Sequence, residues 1–180
     1  MTPAPTLTTK RLTLRGPQAQ DLDPFTDLVV NSPRMKALDE AGTASDAWRG
    51  FVAGIGHWQM LGYGFFTIVE TATGTPVGRC GILGHVGWPE PELAYHMFDN
   101  GEARGMAFEA AVAVRHWAGE TLGFSPLVSI IHPDNTRSRS LAERLGAVVE
   151  KTGEHDGHPA VFYRHLRHHD PAALAMRASA

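Results

Sequence analysis

Polar and apolar residues alternate along Arg11-Leu12-Thr13-Leu14-Arg15, the two-residue period of a half-buried strand. Gly16-Pro17 breaks that pattern. Leu22, Phe25, Leu28 and Val29 then recur at helical spacing, which predicts a helix from Gln18 to Val30 ended by Asn31-Ser32-Pro33. Asp39 to Thr43 reads as a loop, after which Ser45 can cap a helix carrying Trp48, Phe51, Val52, Ile55 and Trp58 on one face. Gly54 and Gly56 weaken that helix and are expected to bend it. Tyr63 to Glu70 and Pro76 to Val86 flank Thr71-Ala72-Thr73-Gly74-Thr75, a hairpin signature, and Pro91 to Phe98 gives the next strand.

The clearest helix runs from Met106 to Leu122, where Ala107, Ala110, Ala111, Val114, Ala118 and Leu122 form a small-residue face suited to close packing on a sheet. Gly123 ends it. A short apolar strand, Leu127 to Ile131, precedes a helix from Asn135 to Leu145. Ala147 to Thr152 and Ala160 to Leu166 close the pattern as a hairpin. This succession is a mixed α+β layout, mostly antiparallel. The 180 residues suit one domain, with residues 1–9 and 168–180 read as irregular tails.

The segment Glu92 to Ala110 carries the first chemical signal. A strand passes through a tight loop holding Gly101 and Gly105 into the first turn of a long helix. Glycine permits positive φ or a close approach of backbone, and a helix start after such a loop points unpaired N–H groups and a positive dipole end at one spot. That arrangement binds phosphate, and Arg104 adds bidentate donors. Neither Gly-x-Gly-x-x-Gly nor Gly-x-x-x-x-Gly-Lys-Ser/Thr occurs, so the two best-known nucleotide cradles do not fit.

Composition narrows the classes without naming one. Hydrophobic content of 43% and charged content of 19% are those of a soluble globular protein. A net charge of −3 and a pI near 6.3 give no argument for nucleic acid or an anionic membrane as partner. No segment approaches the ~20 apolar residues of a membrane span, so a cytoplasmic protein is expected. The single cysteine, Cys80, excludes an internal disulfide and reads as a small buried hydrophobe. His155-x-x-His158 and His165-x-x-His168-His169 lack Cys or carboxylates at ligand spacing, so no metal is expected.

A second motif, His132-Pro133-Asp134-Asn135-Thr136-Arg137-Ser138 with Leu145-Gly146-Ala147, changes the reading of the first. Together they resemble the GNAT superfamily of acyl-CoA-dependent N-acetyltransferases, in the branch of the ribosomal-protein N-acetyltransferases. That branch reads Glu-Leu-Gly-Tyr-Trp-Leu on the strand, Trp-Gly-Lys-Gly-Tyr-Ala-Thr-Glu-Ala on the loop and helix, and His-Pro-x-Asn-x-x-Ser before Leu-Gly-Phe. Glu92, Leu93, Tyr95, Gly105, Ala107, Glu109, Ala110, His132, Pro133, Asn135, Ser138, Leu145 and Gly146 match without gaps. Three positions depart. Glu102 stands where Gln, Arg or Trp is usual and is expected to turn to solvent, Ala103 replaces a glycine, and His96 replaces a tryptophan.

The resemblance implies a GNAT fold, a mixed, mostly antiparallel sheet of about seven strands with helices on both faces. In that fold the strands carrying Glu92 and Ile130 run parallel and splay apart to admit the pantetheine arm of acetyl-CoA. It further implies that the backbone of Met97 and Phe98 pairs with the pantetheine and that Arg104, Gly105, Met106 and Ala107 cradle the pyrophosphate. Asn135 and Ser138 then complete the coenzyme site, and the two N-terminal helices flank the acceptor pocket. Trp48 or Trp58, with His96, is a candidate for lining that pocket, the core being the other place for either tryptophan.

The implied reaction transfers an acetyl group to a primary amine, either a small molecule or a protein N-terminus. An alkyl amine with a pKa near ~10.4 needs a base. Glu92 is the first candidate, with His85, His96 and His132 as alternatives. The departing thiolate needs a proton donor or a hydrogen bond, and Ser138 can supply either. A non-catalytic acyl-CoA-binding module is the alternative, and a homodimer is compatible with either.

Overall fold

The computed structural model describes residues 4–38 and 40–180. Met1–Pro3 of the expected tail and Asp39 of the expected 39–43 loop lie outside the described residues. The strands are β1 (Leu7–Thr8), β2 (Leu12–Arg15), β3 (Phe65–Glu70), β4 (Thr75–Leu83), β5 (Glu92–Met97), β6 (Val128–Ile131), β7 (Val148–His155) and β8 (His158–Arg164). The helices are α1 (Leu22–Asn31), α2 (Pro33–Ala37), α3 (Ala44–Leu61), α4 (Met106–Trp117), α5 (Thr136–Arg144) and α6 (Pro171–Ser179). No helix among the described residues is long and apolar enough to cross a membrane.

All strands join one sheet in the order β1-β2-β3-β4-β5-β6-β8-β7. Every neighbouring pair is antiparallel except β5 and β6, which run parallel and share a single register pair, Glu92 with Val128. The strand beyond the expected seven is β1, two residues at an edge.

The alternation in β2 does what it promises: Leu12 and Leu14 are fully buried. Ala110, Ala111 and Val114 on α4, and Ala118 just after it, are equally buried, and the absence of bulky side chains on this face lets the helix press on the sheet. A π-helical turn, Ala118–Leu122, extends α4 to Gly123, whose φ of 71° closes it. On the other face, Phe25 and Leu28 of α1 pack with Ala47 of α3 and with Phe98. Cys80 is buried and unpaired, and burial pushes its thiol up.

Several local expectations change. Thr43, not Ser45, caps α3: its hydroxyl accepts from Asp46 N–H at 3.2 Å while the Asp46 carboxylate accepts from Thr43 N–H at 2.8 Å. α3 runs unbroken for 18 residues through Gly54 and Gly56. The segments read as tails contain β1 and, after Asp170, the helix α6 with Pro171 at its start. The short helix α2 follows Ser32 directly, where the Asn31-Ser32-Pro33 stop predicted only a break.

Candidate active site

Where β5 and β6 part, the sheet opens into a cleft of about 930 Å³. β5 and β6 form its walls, the loop 102–105 with the first turns of α4 and α5 one end, and α2 part of its rim. After Val128 N–H reaches Pro91 C=O at 3.3 Å, no further backbone ladder joins the two strands among the described residues. Side chains take over. Glu92 Oε1 accepts from Ile130 N–H at 3.1 Å, and Ser129 Oγ donates to Leu93 C=O at 2.6 Å. Because that hydroxyl proton is committed, His165 Nε2, 2.9 Å away, carries the proton it shares with Ser129. Burial, and then Arg115 and Arg164, drop His165 to about 3, so the ring stays neutral.

Glu92 is 6% exposed and still lines the cleft. Its second oxygen accepts from Trp88 Nε1–H at 3.0 Å. Burial raises its pKa to about 7, against the pull of the Ile130 and Trp88 donors, which favour the charged form. A carboxylate so placed is ionised about half the time near neutrality and can take a proton. Trp88 belongs to the loop between β4 and β5, and its ring lies 4.7 Å from that of His85 and 4.5 Å from that of His155.

His96 lies two residues along from Ala94 on the same face as Glu92 and also lines the cleft. Arg79 Nε–H donates to His96 Nδ1 at 3.2 Å. The remaining ring nitrogen therefore bears the hydrogen, and His96 offers the cleft a donor. Desolvation, and then the charges of Arg79 and Arg34, hold its pKa well below the usual imidazole value. Such a ring does not serve as the base. Arg79 lies between the Phe25 and Phe65 rings, 4.3 and 4.2 Å from their centroids, and desolvation lowers it to about 9.

At the opposite wall, Asn135 Oδ1 accepts from Ser138 N–H at 3.1 Å and caps α5. Ser138 lines the cleft, and its hydroxyl makes no hydrogen bond among the described residues. Tyr95 reaches across the slot to donate to Ser138 C=O at 3.0 Å, tying β5 to α5.

The loop 102–105 holds two positive-φ residues, Ala103 (54°) and Gly105 (74°), immediately before α4. No side chain caps α4, so its first amides point unclaimed toward the loop. Buried Glu109 anchors this start: it accepts from Thr9 Oγ1 (2.5 Å), Arg11 N–H (2.8 Å) and Arg11 Nε–H (2.7 Å). Gly105 and Ala107 line the cleft, whereas the Met106 side chain is buried in the core.

Four sequence assignments are corrected by placement. Arg104 turns outward to Glu70 and Asn100 C=O, so its guanidinium is outside the cleft lining. The cations on the lining are Arg34, Arg137 and Arg144, which no motif distinguished. Phe98 spends its N–H on Val77 C=O and its C=O on Gly101 N–H, both at 2.9 Å or less, so strand alternation leaves Leu93, Tyr95 and Met97 as the backbone facing the slot. Met97 C=O there accepts from Arg34 at 2.9 Å. Trp58 is core, 4% exposed with its N–H on Phe65 C=O, and Trp48 is 56% exposed on the outside of α3; neither lines the cleft. The cleft tryptophan is Trp88, set by loop geometry that carries no periodic signal.

This geometry has relatives. Residues 11–148 match the family described as acetyltransferase (GNAT) domain. The crystal structure of an acetyltransferase from Agrobacterium tumefaciens is 34% identical, superposes with a TM-score of 0.83, and the match covers 92% of this chain and 96% of that one. A ribosomal-protein-S5-alanine acetyltransferase from Vibrio fischeri shares the fold at 12% identity, with a TM-score of 0.66 over 90% of this chain and 96% of its own. The microcin C7 self-immunity acetyltransferase MccE, solved in complex with acetyl-CoA and AMP, does so at 16% identity, with a TM-score of 0.69 over 88% and 93%. With the splayed parallel pair, the uncapped α4 and the family match in agreement, the chain belongs to the GNAT acetyltransferases and uses acetyl-CoA.

Proposed function

We propose that the protein moves the acetyl group of acetyl-CoA onto a primary amine, a small molecule or a protein N-terminus, by direct attack on the thioester. The observation that carries this reading is Glu92: a desolvated carboxylate with its pKa at about 7, facing the cleft where the parallel strands part. Glu92 takes a proton from the incoming ammonium, directly or through a water. The amine lone pair then forms the C–N bond, the C–S bond breaks, and the thiolate leaves with its electron pair and takes up the proton that the new amide nitrogen gives up, passed on through the Ser138 hydroxyl. Ser138, in the first turn of α5, hydrogen-bonds or protonates that sulfur, and the helix dipole favours its charge. His96, a neutral donor, orients the acceptor rather than deprotonating it.

The α4 amides with Gly105 and Ala107 receive the pyrophosphate, and the slot-facing backbone of Tyr95 and Met97 receives the pantetheine. The test is release of free thiol from acetyl-CoA across a library of primary amines, with products checked by mass. Acceptor-dependent thiol release is expected. Acetyl-CoA binding without release on any amine or N-terminal peptide would replace this reading with that of a binding module.

A further inference from the structure

We infer that Glu102 is a built-in occupant of the coenzyme's phosphate ground: it holds Arg34 and Arg137, and acetyl-CoA must displace it to bind. The inference rests on the coenzyme reading above and adds what this chain does with it. Glu102 sits in the loop just ahead of Gly105. It does not turn to solvent. Its side chain is 26% exposed, one oxygen is ion-paired with Arg34 Nε of α2, and the other accepts from Arg137 Nη1 of α5 at 3.0 Å.

All three residues line the cleft, so the carboxylate joins two elements across its loop end. Arg104, the cation expected to meet phosphate, is engaged with Glu70 outside the lining. Arg11, the guanidinium nearest Gly105, is held by Glu109 and Arg104 C=O, which leaves Arg34 and Arg137, on the same cleft lining as Gly105, as the pair that Glu102 occupies. A planar carboxylate accepting from two guanidinium groups satisfies the donors that a phosphate would satisfy. Binding then exchanges one anion for another at the same arginines. Arg34 keeps two other partners, Met97 C=O at 2.9 Å and Asp99 at 3.2 Å, so α2 stays tethered when Glu102 lets go.

The exchange gives coenzyme affinity a sign opposite to the usual one for a binding-loop residue. Partly exposed ion pairs contribute modestly, so removing the carboxylate is expected to tighten acetyl-CoA binding by ~3- to 10-fold. Calorimetry on the full chain compares wild type, Glu102→Gln, and Glu102→Gln combined with Arg34→Gln and Arg137→Gln. Tighter binding in the single variant, lost in the triple one, is the expected result. Titration with inorganic pyrophosphate gives a second readout: it should compete with acetyl-CoA more strongly in Glu102→Gln than in wild type.

Arg137→Gln alone, a change at a 71% exposed side chain, guards against a folding artefact and should weaken acetyl-CoA binding. Unchanged or weaker binding in a folded Glu102→Gln variant overturns the inference, as does an Arg137→Gln variant with wild-type affinity. Wild type that binds acetyl-CoA and turns it over, with no gain in Glu102→Gln, would leave the proposed function standing and remove only the displacement. Failure of every variant to bind acetyl-CoA would remove both.

Discussion

The indole N–H of Trp88 donates to Glu92 Oε2 at 3.0 Å and, with Ile130 N–H on the other oxygen, opposes the desolvation that keeps the buried carboxylate from ionising. The acidic limb of kcat is expected near the Glu92 value of about 7. Glu92→Gln should lower kcat by ~10²-fold or more and flatten that limb. Trp88→Phe removes a donor that favours the charged form, so the limb should move upward by ~0.5–1 pH unit. A pH–rate series on the three enzymes checks both, and a limb that ignores Trp88 would place the base elsewhere.

The same carboxylate sets a stability trend with a defined sign. Its folded pKa, about 7, lies above the ordinary 4.5, so the folded state binds the proton more tightly. Stability from this group is complete below pH ~4.5 and lost as pH rises through ~7. Glu92→Gln should therefore raise Tm relative to wild type at pH 8 more than at pH 5. Thermal melts at the two pH values decide it.

Ser138→Ala should lower kcat by ~10- to 100-fold, about 1.4–2.7 kcal/mol of transition-state stabilisation, and leave acetyl-CoA binding nearly unchanged. The Asn135 cap uses the Ser138 amide and not its hydroxyl, so α5 should survive the change. A smaller loss with a thioester of low leaving-group pKa would mark the hydroxyl as the aid to departure. Equal losses with both thioesters would count against it.

Arg79→Met keeps an unbranched chain between Phe25 and Phe65 but frees His96 Nδ1 and removes the adjacent charge. His96 should then gain a proton in a range where wild type shows none. Histidine ring resonances followed by NMR against pH should show one additional titration in the variant. Its absence would mean that burial and the charge of Arg34 suffice to keep the ring neutral.

Gly105→Asp should weaken acetyl-CoA binding by at least ~10-fold, because a carboxylate would compete for the unclaimed α4 amides. A Cβ there meets nothing nearer than Arg11 Nη2 at 3.6 Å, so the fold should persist despite the φ of 74°. Calorimetry beside a thermal melt separates the two effects. Unchanged affinity would place the phosphates away from this turn.

The succession of strands and the long helix were legible because hydrophobic period reports on them directly, and the splay because two spaced motifs resemble a family whose fold has it. Leu12, Leu14 and the alanine face of α4 went where alternation and small size sent them. Glu92, Asn135 and Ser138 meet in one cleft for the same reason, since each lies at the end of an element that period defines. The cations were not legible. Arg34 reaches Glu102 of the loop before α4 from a helix only five residues long, and Arg104 is drawn off by a glutamate 34 residues earlier in the chain. Trp88 could not be preferred to Trp48 or Trp58, because an apolar helical stripe advertises its tryptophans and an irregular loop does not.

The splay has one spectroscopic consequence. Ile130 N–H, which in a regular ladder would meet a neutral carbonyl, ends on Glu92 Oε1. Its proton frequency therefore depends on the charge of that carboxylate, and Trp88 Nε1–H, on the other oxygen, should move with it. Two resonances from well-separated parts of the spectrum thus report on a single ionisation. Followed without acceptor and then with one, they would show how far an arriving cation shifts the charge state of Glu92, with no label and no mutation.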